Sequence, residues 1–201
     1  MLLLAALTVL IIAAIPAANA KECRYSKNEI DDFTNEKLLT TKWHLFHTAI
    51  QTTGFAYASG ITVGDRDYLA IRIATEETLS YELDDDELRT RFVVPEGASL
   101  LILLADDTIV ELPAQQQATG VARSSSADSR DSGNSLEVRY EVKLDAVIRY
   151  SLNASAFEAL SSQTATHVRL TTNSGDHDFE VHDKLTDEIQ KAVLCLKQDT
   201  V

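Results

Sequence analysis

Five histidines are the natural starting points for metal binding or acid–base chemistry in this chain: His44, His47, His167, His177 and His182. Simple strand geometry brings only His167 and His182 together. With Ser174-Gly175 as a two-residue hairpin turn, His167 lies directly across from His182, with Glu180 on the same side and Asp183 next in the chain. Two imidazoles so placed could hold a divalent metal, or change protonation at about pH 6 to 7. The competing reading is a polar strand end, because two histidines fall short of the three or four ligands of a typical zinc site. His44 and His47 stand three apart in a strand-like run, which sends them to opposite faces.

Other arrangements are weaker. The run Asp84-Asp85-Asp86-Glu87 offers hard oxygen ligands, but its spacing is not that of a calcium loop and a solvated acidic turn is the simpler reading. In Asp176-His177-Asp178, strand alternation points the imidazole away from both carboxylates. Serines are plentiful, yet none sits in a GxSxG elbow or an SxxK arrangement, and HExxH and GxxxxGK[ST] do not occur. A Ser-His-Asp triad or a carboxylate pair would have to be assembled by the fold. With 7 glycines and no dinucleotide fingerprint, no cofactor is implied. Trp43, Phe46, Phe55 and Tyr57 could form a saccharide platform, though aromatics in strand runs more often pack a core.

Two cysteines carry the clearest covalent chemistry. Residues 1–20 read as a secretory signal peptide: 17 belong to the hydrophobic class, none is charged, and the segment ends in the small-x-small pattern Ala18-Asn19-Ala20. The 17 residues from Leu2 to Ala18 would otherwise be a short membrane anchor. The domain that remains, residues 21–201, would reach a compartment where disulfides form, and it contains Cys23 near its start and Cys195 near its end. The expected Cys23–Cys195 bridge closes a loop of about 170 residues, for which the chain-entropy model gives roughly 5 kcal/mol.

The elements that position these residues are mostly strands. Ser26–Leu39 carries weak helical spacing through Ile30, Phe33 and Leu38. Strand-like runs follow from Lys42, with a turn at Gly64-Asp65-Arg66-Asp67, and resume at Thr90–Val94. Ser99–Leu112 reads as a hairpin turning at Asp106-Asp107, pairing Leu104 with Ile109 and Leu101 with Leu112, with both faces apolar and needing cover. Residues 113–134, rich in serine and glutamine, read as a mobile polar loop with room for a short strand at Ala118–Arg123. From Leu136 to Leu152 apolar residues fall on even positions. A single strand of that length would span about 56 Å, so a bend near Asp145 is expected. Asn153–Leu160 reads as a helix with a Ser155/Glu158 capping box, and Lys184–Gln198 as an amphipathic helix capped by Asp183.

The fold class is therefore α+β, mostly antiparallel sheet with an amphipathic C-terminal helix, and a two-layer sandwich is the close alternative. Lys plus Arg number 18 against 31 Asp plus Glu, a net charge of -13 that repels phosphate backbones and anionic lipid surfaces. Nucleic acid is excluded as a partner, as is stable membrane insertion once the leader is removed. The functional expectation is an exported soluble noncatalytic domain, periplasmic or secreted, that binds a protein, an envelope polymer or a small ligand. A hydrolase with a fold-assembled site is the alternative.

Overall fold

The computed structural model describes residues 23–48, 53–79, 92–131 and 136–197. The leader and the acidic run Asp84–Glu87 lie outside the described residues, as do Thr90 and Arg91. The architecture is mixed α+β and mostly antiparallel, ending in a helix.

The chain opens with strands β1 (Tyr25–Ile30) and β2 (Lys37–Thr41), where helical spacing suggested a helix. The turn between them decides the matter. Asp31 Oδ1 accepts from the N–H groups of Thr34 at 2.9 Å and Phe33 at 3.0 Å, and Asn35 adopts φ +57°. This side-chain-to-backbone turn diverts the N–H groups that a helix would use. Ile30 and Phe33, expected on a packed helix face, are exposed.

Strands β3 (His44–Thr48), β4 (Thr53–Val63) and β5 (Arg66–Leu79) follow, then β6 (Val93–Val94), β7 (Ser99–Leu104) and β8 (Ile109–Pro113). Within residues 113–131, β9 (Ala118–Thr119) falls where the sequence allows a short strand, and β10 (Val121–Asp131) runs on through the expected loop and pairs with β11 (Leu136–Ser151). Polar composition misled here, because the ladder is satisfied by backbone groups whatever the side chains are. The large sheet has the order β1-β2-β4-β5-β11-β10, with β3 also paired to β4.

β11 is one strand of 16 residues, not two joined by a bend. At about 3.3 Å per residue it spans roughly 53 Å. β5 supplies an unbroken partner from Tyr68↔Ser151 to Leu79↔Tyr140, and Asp145 sits in register opposite Ala74. The irregularity falls in the β10–β11 ladder instead, between Ser124 and Ala127.

The second sheet runs β13-β12-β7-β8, with β12 Ala165–Thr172 and β13 Gly175–Glu180. The β7–β8 register differs from expectation by one residue. Leu104 N–H donates to Thr108 O, and Asp107 takes φ +65°, so the loop holds Ala105, Asp106 and Asp107. Leu103 then pairs with Ile109 and Ile102 with Val110. Because such a slip re-sorts the two faces, Leu100, Ile102, Leu104, Val110 and Leu112 are all buried, whereas Ile109 is 63% exposed. Only one face of this ribbon needed cover.

One core cluster joins the sheets: Ala58, Leu69, Ile71 and Ile148 from the large sheet meet Leu100, Ile102, Leu112 and Leu170 from the second. Each leucine or isoleucine among them contributes about 1.5–3 kcal/mol by burial. Helix α1 (Ala154–Ser162) adds Ala156 and Leu160. Its cap is Asn153, whose Oδ1 accepts from Ala156 N–H at 2.9 Å and from the Ser155 hydroxyl, in place of the expected Ser155/Glu158 box. The C-terminal segment divides into a 3-10 turn, Asp183–Leu185, and helix α2, Glu188–Lys197. His182 rather than Asp183 caps the 3-10 turn, its Nδ1 accepting from Lys184 N–H.

The disulfide joins Cys23 to Cys195 with Cα atoms 5.5 Å apart, as the cysteine positions implied. Tyr25 reinforces it by donating its hydroxyl to Cys195 O at 3.0 Å. The start of the described chain and its last helix are thereby tied together.

Candidate groove beside the first helix

The turn at Gly64-Asp65 joins β4 to β5 and begins the wall of an open groove of about 840 Å³. Gly64 adopts φ +62°, a conformation that suits glycine, and this turn leaves Asp65 and Arg66 on the rim. Next along β5, Asp67 is anchored twice: its Oδ1 accepts from the Thr62 hydroxyl at 2.6 Å, and its backbone C=O accepts from Leu152 N–H at 3.0 Å. The second bond fixes where the chain leaves β11 for α1. Ser151, Leu152, Asn153 and Ala154 therefore line the groove at that junction.

Tyr68 and Gln115 also line it. Tyr68 is 4% exposed, held in a small cluster with Ile61 and Ala70. Gln115 Nε2 donates to the Tyr68 hydroxyl at 3.1 Å, and Gln115 N–H donates to Arg149 O at 2.8 Å, so both ends of the glutamine are positioned. Phe157, Glu158 and Ser161 face in from α1, and Leu196 and Lys197 come from the end of α2. The lining thus combines an apolar wall with amides, hydroxyls and charges of both signs. Such a concave, mixed surface suits ligand binding by side chains.

The sequence-selected histidines lie elsewhere. The β12–β13 register is offset by two residues from expectation: Thr172 pairs with Gly175, Leu170 with His177, and His167 with Glu180. Asn173 and Ser174 form the turn because Asn173 is held to β6, its N–H donating to Val93 O and its Oδ1 accepting from Val93 N–H. The offset keeps each side chain on its face but changes its partner, and leaves His182 beyond the end of β13. The direct His167–His182 opposition on which a metal pair depended is therefore absent. Among the described residues, no group of three or more His, Cys, Asp or Glu side chains is arranged to hold a metal ion.

The other imidazoles have structural partners. His44 Nδ1 lies 2.8 Å from Glu188 Oε2, linking β3 to α2, and His47 Nδ1 lies 2.7 Å from Glu180 O. His177 turns away from both neighbouring carboxylates, as alternation required, and its Nε2 lies 3.2 Å from the Thr172 hydroxyl. Asp178 instead makes a bidentate pair with Arg169 at 2.6 and 2.9 Å, and that guanidinium holds its carboxyl below the ordinary range. Of the four aromatics, Phe46 is fully buried, and Trp43 packs half-buried over Ile61, Tyr68 and Ala70.

Sequence reasoning passed over the groove. Its residues come from four stretches of chain, and Tyr68 and Gln115 carry no motif; Gln115 stood in a run read as loop. The nearest signal was the polar turn at 64–67, which marks a hairpin but not what stands opposite it. No protein-family model, curated protein or solved structure matches this chain.

Proposed function

We propose that this chain is an exported, soluble, noncatalytic binding domain and that the groove between the β4–β5 turn and α1 is its binding site. One observation carries the reading: amide, hydroxyl and charged side chains converge beside Leu152, Phe157 and Leu196 in a concave space of about 840 Å³. The Cys23–Cys195 bridge supports a periplasmic or secreted location, where disulfides persist, in keeping with the leader. Among the described residues, no helix is long and apolar enough to cross a membrane.

A thermal-shift screen of the purified oxidised protein tests this. The panel comprises mono- and disaccharides, dipeptides and small carboxylic acids, run against the wild type and a groove-filling Ser151→Trp variant. A ligand that binds only the folded state raises the melting temperature. The expected result is a stabilising ligand whose effect disappears in Ser151→Trp while that variant's own melting temperature holds. A panel without any stabilising member, or stabilisation that survives the filled groove, would contradict the reading. So would turnover of a chromogenic ester or glycoside that Ser151→Trp abolishes, which would instead support the hydrolase.

A further inference from the structure

We propose that the β1–β2 turn is a docking tip, with Phe33 as an anchor that enters an apolar pocket bordered by lysine or arginine side chains on a partner protein. Phe33 is 99% exposed, and Ile30, three residues earlier at the end of β1, is 55% exposed. The topology leaves Phe33 without a neighbouring strand to pack on. β4 pairs with β2 only as far as Leu38↔Val63, and Gly64 N–H donates to Lys37 O where the chain turns back into β5. Residues 31–36 therefore run past the end of the strand that flanks β2.

The turn is stiff, and the Phe33 side chain plays no part in making it so. Asp31 Oδ1 accepts from the Thr34 N–H, the Phe33 N–H and the Thr34 hydroxyl. Asn35 N–H donates to Asp31 O at 2.8 Å, Asp31 N–H to Glu36 O at 2.8 Å, and Glu36 N–H to Thr34 Oγ1 at 3.3 Å. Phe33 contributes only its backbone to these bonds, so its ring is dispensable for the fold. An aromatic side chain held out on a preformed turn costs little ordering when a partner buries it, and such anchors carry much of the energy of protein interfaces.

Charge sets the character of the partner's rim. Residues 29–36 include Glu29, Asp31, Asp32 and Glu36 and no lysine or arginine. The bonds from Thr34 N–H and Phe33 N–H hold the Asp31 carboxyl below its ordinary range, so it keeps its charge, and Asp32 and Glu36 are exposed on either side of Phe33. Lys27 sits 2.9 Å from Glu29, away from the tip itself. A pocket edged by cations complements this ring of acids, whereas nucleic acid and anionic lipid are repelled by it.

In the test, the full chain carrying Phe33→p-benzoylphenylalanine is expressed in the cells that make it and irradiated. The captured protein is identified by mass spectrometry, purified and titrated calorimetrically against the oxidised wild type, Phe33→Ala, the double variant Asp32→Asn with Glu36→Gln, and Ile109→Ala as an exposed apolar control. The purified partner should bind the wild type and lose about 30-fold or more in affinity with Phe33→Ala, the size of an interface hot spot, while that variant's melting temperature is unchanged. The double variant should bind more weakly than the wild type at low salt and equally at high salt. Ile109→Ala should bind as the wild type does. No adduct at position 33, a captured protein that binds Phe33→Ala as well as the wild type, or an equal loss with Ile109→Ala would overturn the proposal. A lower melting temperature for Phe33→Ala would overturn it by making the ring structural, and unchanged low-salt affinity in the double variant would remove the basic rim. Phe33-dependent sedimentation with phosphatidylcholine vesicles would overturn it in favour of a lipid surface.

Discussion

A β-carbon placed on Gly60 would lie 2.5 Å from Ala192 O and 2.8 Å from Leu196 Cγ, so β4 and α2 approach each other as closely as a glycine allows. One of the obstructing atoms is helix backbone and cannot swing aside. Gly60→Ala should therefore push α2 off the sheet and destabilise the protein by about 1–3 kcal/mol, the range for overpacking a filled core. A denaturant melt of the variant reads this directly; an unchanged midpoint would mean that the helix shifts freely.

Tyr150 predicts the opposite sign. Its side chain is fully buried, its hydroxyl has no hydrogen-bond partner among the described residues, and burial pushes the phenol well above its ordinary pKa. Removing an unsatisfied polar atom removes a desolvation cost of about 1–3 kcal/mol without breaking a bond. Tyr150→Phe should leave stability unchanged or raise it. Loss of more than about 1 kcal/mol in calorimetry would reveal a partner for that hydroxyl.

The disulfide acts on the whole chain, because it joins β1's lead-in to the last turn of α2. Replacing both cysteines by serine should lower stability by about 2–5 kcal/mol. The loss should show as a lower denaturant midpoint, and addition of a reductant to the wild type should reproduce it. If reduction left the midpoint unchanged, the bridge would not constrain the unfolded chain.

The exposed pair Arg169–Asp178 gives a pH signature. Asp178 titrates below the usual 3.8 because the Arg169 guanidinium hydrogen-bonds its charged form. The pair's contribution to stability is thus present above the unfolded carboxylate pKa and is lost as pH falls through the depressed value. Carboxyl-carbon NMR should place the Asp178 midpoint under 3.8 in the wild type, and Arg169→Gln should move it upward. A midpoint indifferent to that substitution would show that the ion pair does not persist in solution.

Strand alternation was legible in the sequence, and turn positions were not. Val168, Leu170, Phe179 and Val181 share one face of this hairpin in either register, because an offset of two residues preserves face. The partners changed because Asn173 is bonded to Val93, a contact made only once β6 is in place. Likewise Asp107 accepts a positive φ without being glycine, which moved β8 by one residue. The disulfide could be inferred because two cysteines permit a single pairing. The groove could not, because Tyr68, Gln115, Ser151 and Phe157 become neighbours only through the turn, the strand end and the helix that carry them.

The groove as binding site is tested most directly by mapping backbone amide shifts on the 15N-labelled oxidised protein as the stabilising ligand from the thermal-shift panel is added. Saturable shifts are expected, concentrated at residues 65–68, 115, 151–154 and 196–197. Shifts confined to the β12–β13 hairpin or to the β1–β2 turn, with those groove amides unmoved at saturation, would contradict it.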